Sequence, residues 1–185
     1  NDNFNDECAI IASGPDCEAN CSLDILFQLI TQAKERVWIQ TPYFIPPQSL
    51  ISAFRAAVQR GVDVKLVLPF KNDVKIAGLA SKSYYKFLLE SGIVIYEYLP
   101  SMLHSKVTIV DDYTFIGSAN LDTRSFRLNF EIGCLYQTAS MESKIIEVFK
   151  EDLSNSFRIT ASDIKNKSWH TKLSESFAHL LSPLL

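Results

Sequence analysis

The residues best equipped for chemistry lie between Leu103 and Glu131. They read His104-Ser105-Lys106, then Asp111, then Gly117-Ser118-Ala119-Asn120, then Asn129-Phe130-Glu131. On a strand, residues two apart share a face. His104 and Lys106 are therefore expected to point one way, and so are Ser118 and Asn120 on the next strand. A hairpin centred near Asp112 would set His104 opposite Asn120 and Lys106 opposite Ser118. One patch would then present an imidazole, an ammonium, a hydroxyl and an amide. Gly117 beside it fits close approach of a ligand to the backbone. Spacing alone leaves two readings open, a solvated face or an anion site. Sheets in α/β domains are normally apolar on both sides, and unpaired polar groups there are costly.

On the anion-site reading, Lys106, Ser118 and Asn120 donate to phosphoryl oxygens. Fixed donors of that kind stabilise the extra charge of a five-coordinate transition state. His104 could attack phosphorus or shuttle a proton, because histidine chemistry is centred near neutrality. Glu131 could fix the imidazole tautomer and stabilise its cationic form. With the positive charge supplied by lysine, no metal is required.

The elements that must position these groups follow from periodicity. A helix is expected after Ser22, with Leu23, Leu26, Phe27, Ile30 and Ala33 at helical spacing. Residues 37–40 read as a strand and 41–47 as a loop, since Pro42, Pro46 and Pro47 forbid helix. A helix over 48–60 ends at Gly61. Strand 62–68, helix 73–91 stopped by Gly92, and strand 93–98 follow. Residues 103–110 and 113–117 read as two strands with a very short turn at Asp111-Asp112, and 130–136 as another. An amphipathic helix spans 140–155. The last segment, 168–185, is apolar at Trp169, Leu173, Phe177, Leu180 and Leu181. This order predicts a single α/β domain over residues 1–185. Its sheet is expected to be mixed, largely parallel, and flanked by helices on both faces.

The bulk numbers set limits. The chain has 185 residues, 47% hydrophobic and 21% charged, which suits one globular domain and excludes general disorder. A net charge of −3 gives no general attraction to nucleic acid or anionic lipid, so no nucleic-acid partner is expected and any anion site must be local. Cys8, Cys17, Cys21 and Cys134 lack the paired spacing of a zinc site and are expected as thiols, as in a reducing compartment. No apolar run approaches the roughly 20 residues that cross a bilayer, and no signal peptide is visible. The chain begins at Asn1 and not at methionine, as a piece of a longer protein would.

The central stretch resembles the HKD motif of the phospholipase D superfamily: His-x-Lys, four residues, Asp, then Gly-Ser-x-Asn. His104, Lys106, Asp111, Gly117, Ser118 and Asn120 fill those places. Glu131 matches the acidic residue that follows the motif and contacts a catalytic histidine. The family usually has six residues between Asp and Gly; here there are five, 112–116, so the turn is one residue tighter. Flanking segments are similar to cardiolipin synthases: Thr41 to Pro46, Arg60 to Val64, Ser83 to Tyr85, Tyr96 to Tyr98, Asn120 to Asp122 with Arg124 to Phe126, Leu128 to Glu131, and Leu180 to Leu185. Ser13-Gly14-Pro15 matches the opening of that family's C-terminal half.

The resemblance implies a phospholipase D-like fold and half of a two-motif enzyme. It implies phosphatidyl transfer between two phosphatidylglycerol molecules through a phosphohistidine, without metal or other cofactor. His104, Lys106, Asp111 and Glu131 would form the catalytic set, with Asp111 mainly structural, and Lys106, Gly117, Ser118 and Asn120 would hold phosphate. In two-motif relatives the first histidine is usually the nucleophile, which makes His104 the general acid/base. The implied partners are the phospholipid, a membrane, and either an N-terminal HKD half or a second copy of the chain as a homodimer. The implied location is the bacterial cytoplasmic membrane for the parent, with this fragment soluble. A hydrolytic phospholipase D, a superfamily nuclease and a non-catalytic half-domain remain alternatives. Tyr43, Phe44, Tyr84 and Tyr85 could line a lipid path or fill the core. Arg124 and Arg127 could add positive charge to the site or be solvated. The C-terminal helix could meet a membrane through Leu180, Leu181, Leu184 and Leu185, or pack on protein.

Overall fold

A computed structural model describes residues 8–17, 20–137 and 139–182, the side chains of 139–143 excepted. In chain order the elements are β1 (Cys8–Ser13), α1 (Cys21–Gln32), β2 (Arg36–Gln40), β3 (Phe44–Ile45), α2 (Gln48–Gln59) and β4 (Asp63–Pro69). Then come α3 (Lys75–Ser83), α4 (Tyr85–Glu90), β5 (Val94–Tyr98), β6 (Val107–Val110), β7 (Tyr113–Gly117) and β8 (Leu121–Asp122). The chain closes with α5 (Thr123–Arg127), β9 (Glu131–Gln137), α6 (Ala139–Ser154), β10 (Ser156–Ile159), α7 (Ala161–Lys165) and α8 (Trp169–Leu180).

Local signals explain the first half well. Asn20 caps α1, its side chain accepting from the Leu23 N–H. Leu50, Ala53, Phe54 and Ala57 recur on one face of α2 and are buried. Gly61 and Gly92 take φ of +86° and +89°, the left-handed turn that ends a helix cheaply only at glycine. The helix expected over 73–91 is two helices. Tyr84 separates them, its N–H bonding back to the Ser81 carbonyl, while its ring packs edge-on against Phe44 and His179.

The main sheet has eight strands in the order β1-β9-β7-β6-β2-β4-β5-β10. It is mixed, as expected, but its parallel part is smaller than expected. Only β2, β4 and β5 run parallel, and every other neighbouring pair is antiparallel. The reason is connection length. Helices α2, α3 and α4 carry the chain back for parallel crossovers, whereas the short turn after β6 can only reverse it. β1, β10 and α7 were not anticipated.

Helices cover both faces. On one, Ile30 of α1, Phe54 of α2 and Leu88 of α4 join Val37, Leu66 and Ile95 in a buried cluster. On the other, Phe149 of α6 stacks on Trp38 at 5.2 Å and packs with Val67 and Ile109. Among the described residues no helix is long and apolar enough to cross a membrane.

Candidate active site

The hairpin β6–β7 carries the motif. Val110 pairs with Tyr113 and Val107 with Ile116, so Asp111 and Asp112 together form the turn. Pairing is therefore shifted by one from the expected register, and His104 does not lie across from Asn120. The ladder stops at Val107 and Gly117, closed by the Gly117 N–H bonding the Lys106 carbonyl at 3.2 Å. His104, Lys106, Ser118 and Asn120 all stand beyond the ladder, where the chain leaves the sheet.

Asp111 sits at the opposite end of the hairpin from His104. It takes φ of +49°, which aspartate tolerates better than most residues. Its carboxylate accepts from the backbone N–H groups of Lys34, Glu35 and Arg36 at 2.8, 2.9 and 3.0 Å. Burial pushes its pKa up, but these three bonds and the Arg36 charge outweigh that and hold it below the ordinary range. Asp111 is thus a positioning residue that ties the hairpin turn to the corner between α1 and β2.

At the working end, the Lys106 ammonium lies 3.3 Å from Nδ1 of His104 and donates to the His104 carbonyl oxygen at 3.0 Å. His104 is exposed and Lys106 half-buried. Burial lowers the Lys106 pKa, while the charges of Glu131, Asp122 and Asp73 push against that shift without cancelling it. Ser118 donates its hydroxyl proton to Glu131, and its oxygen accepts from the Ile132 N–H at 3.0 Å. Asn129 donates to the other oxygen of Glu131 at 3.1 Å. Ser118, expected as a donor to phosphate, therefore has its proton directed to Glu131. No hydrogen bond joins Glu131 to His104.

Asn120 is held by its backbone N–H, which bonds Ser125 Oγ at 3.1 Å, and its side-chain oxygen is buried without a hydrogen-bond partner. Such an orphan is costly unless a bound group supplies a donor. At Gly117 a Cβ would lie 2.7 Å from the Ile132 carbonyl and 2.9 Å from the Gly133 Cα, so close packing against β9 by itself requires glycine there.

Sequence reasoning gave no role to three contributors, Asp73, Asp122 and Gln40, and left that of Tyr43 open. Tyr43 donates to Asp73 at 2.5 Å, and Asp73 lies close enough to His104 for their charges to interact. Burial first, and then the bond to Asp73, push the Tyr43 pKa up to about 12. Asp122 caps α5 by accepting from the Ser125 N–H at 2.7 Å, and its burial raises its pKa. Gln40, buried at the end of β2, accepts from Ser105 at 3.0 Å and donates to Asp152 at 2.8 Å. An aspartate three residues before Ser125 is a recognisable cap signal. Asp73 follows the carboxyl end of a parallel strand, where α/β folds place ligands. Of the aromatic residues, Phe44 and Tyr85 are core, whereas Tyr43 stands at the rim of the site. Arg124 and Arg127 are exposed on α5. Among the described residues no group of three or more His, Cys, Asp or Glu gathers as a metal site.

A solvent-open histidine and lysine with a hydroxyl–carboxylate pair held beside them suit phosphoryl chemistry. The family model described as "Cardiolipin synthase, PLD-like domain" matches residues 26–153, which include the whole of this constellation. The chain belongs to the cardiolipin synthase PLD-like domain family.

Relatives of this PLD-like domain agree. A cardiolipin synthase of Halalkalibacterium halodurans is 42% identical over 178 residues, covering 95% of this chain and 35% of the relative. Cardiolipin synthase 2 of Bacillus cereus is 43% identical, covering 95% and 34%. The chain thus spans about a third of the length of these curated relatives. Among solved structures, the phospholipase D family member Nuc from Salmonella typhimurium superposes with a TM-score of 0.70 at 23% identity, over 84% of this chain and 100% of Nuc. Phosphatidylserine synthase of Haemophilus influenzae gives 0.74 at 19% identity, over 96% of this chain and 45% of its own. These two likenesses concern the fold.

Proposed function

We propose that this PLD-like domain supplies one of the two HKD half-sites of an enzyme that moves a phosphatidyl group from one phosphatidylglycerol to another, giving cardiolipin and glycerol. The observation that carries the reading is the Lys106 ammonium set against the exposed His104 imidazole, with Ser118, just past β7, bonded to Glu131 at the start of β9.

In this reading the facing half supplies the nucleophilic histidine. Its ring nitrogen attacks phosphorus, the N–P bond forms and the P–O bond to glycerol breaks. His104 gives its proton to the departing glycerol oxygen. Neutral His104 then takes the proton of a hydroxyl on the second phosphatidylglycerol. That oxygen attacks phosphorus, the N–P bond breaks and both histidines return to their starting states. Lys106 neutralises phosphoryl charge throughout. Neither metal nor nucleotide enters these steps. One half-site cannot perform both histidine roles, so a second HKD half or a second copy is needed. The flank beside Glu131 suits such a partner, because Leu128, Phe130 and Ile132 are all exposed there. The lipid substrates place the parent at the bacterial cytoplasmic membrane.

The test is a product assay with phosphatidylglycerol in mixed micelles. The chain is assayed alone and with the missing half, beside a His104→Ala control. Cardiolipin and glycerol in equal amounts from wild type only are expected. Phosphatidic acid as the main product would replace transfer by hydrolysis. Undiminished turnover by a folded His104→Ala variant would remove His104 from the mechanism.

A further inference from the structure

The last helix carries two features that the reaction does not use. Trp169, Leu173, Phe177 and Leu180 of α8 are 67%, 61%, 61% and 75% exposed. Their spacing puts them in one stripe along the helix. The opposite side is anchored in the domain. Ala178 is buried against Ile45 and Ala80, and His179 Nδ1 lies 3.0 Å from Ser83 Oγ. The stripe therefore faces directly away from the fold, an arrangement that costs solubility unless something covers it.

The second feature adjoins the first. A cavity of about 630 Å³ lies between α4, α7 and α8, and its lining includes Lys82, Lys86, Lys165, Lys167 and Lys172. Two carboxylates also line it, Glu90 and Glu175. Glu175 is the only carboxylate on α8; it is 7% exposed and ion-paired with Lys167 at 2.6 Å. Lys172 is held toward α7 by donating to the Lys165 carbonyl at 2.9 Å. The exposed surface of α8 thus combines large apolar side chains and lysine with no exposed carboxylate. This local charge is opposite in sign to the net charge of the chain, −3.

We infer that α8 is a bilayer-docking helix whose apolar stripe enters an anionic membrane while the lysines of the adjoining cavity meet phosphate-bearing headgroups. Charge complementarity selects this occupant. A Trp/Phe/Leu face bordered by lysines has the composition of helices that lie in a membrane interface, and basic residues near an anionic leaflet add to apolar insertion. The apolar surface also reaches toward the site. Phe70 and Val74, both exposed, flank Asp73, and Lys82 of the cavity sits 5.4 Å from the centre of the Phe70 ring. Docking through α8 would therefore bring the Tyr43–Asp73 rim toward the lipid surface. This inference stands on the surface of α8 and does not depend on the transfer reaction.

The test is co-sedimentation of the whole chain with vesicles of phosphatidylcholine alone and of phosphatidylcholine with phosphatidylserine, neither being the proposed substrate. Binding is expected only with the anionic vesicles, and is expected to weaken at high salt and to blue-shift the fluorescence of Trp169. Leu173→Gln combined with Phe177→Gln should lower vesicle affinity at least about tenfold. Lys165→Gln combined with Lys172→Gln should abolish the preference for anionic vesicles. Val148→Gln, at an exposed apolar position on α6, should bind as wild type does. Matching circular dichroism melts would show that each variant folds. Failure of wild type to bind anionic vesicles would overturn the inference, as would binding unaffected by the stripe variants. Self-association without lipid that the stripe variants abolish would assign the surface to a second copy instead.

Discussion

The Nζ of Lys106 lies 3.3 Å from Nδ1 of His104, although the two residues stand outside the β-ladder that follows them. The contact is fixed by the lysine bonding the backbone carbonyl of the same histidine at 3.0 Å. One side chain thus sets the place of a cation and limits the rotation of the imidazole beside it. Replacing Lys106 by methionine should lower kcat by about 10²–10³ in the assembled two-half enzyme, as expected for removal of a charged transition-state donor. Lys106→Arg should restore part of it. An unchanged kcat for the methionine variant would show that the ammonium does not face the phosphoryl group.

Asp111→Asn tests the clamp at the far end of the hairpin. Asparagine also tolerates positive φ, so the substitution spares the backbone while removing the charge and one of the two acceptor oxygens. Weakening the charge-assisted bonds to Lys34, Glu35 and Arg36 should cost about 2 kcal/mol, or roughly 4–8 °C in Tm. The pH dependence has a definite sign. The folded-state pKa of Asp111 is lowered, so its contribution is complete above the unfolded-state pKa and lost as pH falls through the folded value. The gap in stability between wild type and Asp111→Asn should therefore narrow on acidification. A gap that widened in acid would contradict the assignment.

Gly117→Ala should disturb the site through the backbone. The added methyl would press on the Ile132 carbonyl and the Gly133 Cα, which belong to the strand that carries Glu131. The expected cost is about 1–3 kcal/mol, with loss of activity exceeding what the fraction unfolded accounts for. Parallel melting curves and assays separate the two effects.

Gln40→Leu should break the buried chain Ser105–Gln40–Asp152 and leave two polar groups without partners. A loss of about 1–3 kcal/mol is expected. Because Ser105 sits between His104 and Lys106, kcat should fall while KM changes little. A kcat that returns to the wild-type value once normalised to the folded fraction would instead indicate a purely structural role.

Much of this architecture was legible because its signals are local. Leu50, Phe54 and Ala57 announce α2 by period, and Gly61 and Gly92 announce its end and that of α4. The motif residues were legible from type and spacing, but their relative placement was not. The one-residue difference in register comes from centring the hairpin on Asp112, whereas Val110 pairs with Tyr113 about the Asp111-Asp112 turn that the strand bounds already implied. The edge strands were hidden for another reason. β1 is a short apolar run that becomes a strand only by pairing with β9, and β10 by pairing with β5. Asp73, before α3, and Asp122, at the end of β8, reach the site from separate parts of the chain, and spacing says nothing of such convergence. Leu184 and Leu185, expected as candidate membrane contacts, lie outside the described residues.

The pairing of β1 with β9 bears on when the site comes into being. Ser13 is the register partner of Glu131, so the strand that carries the site's carboxylate is flanked by the first element of the domain and by the motif hairpin. Contacts so distant along the chain carry a large loop-closure entropy, and topologies rich in them fold slowly. The carboxylate is therefore expected to reach Ser118 late, once the sheet has closed around β9. A partly folded chain then lacks the Ser118–Glu131 pair, and the site is incomplete until the sheet has closed.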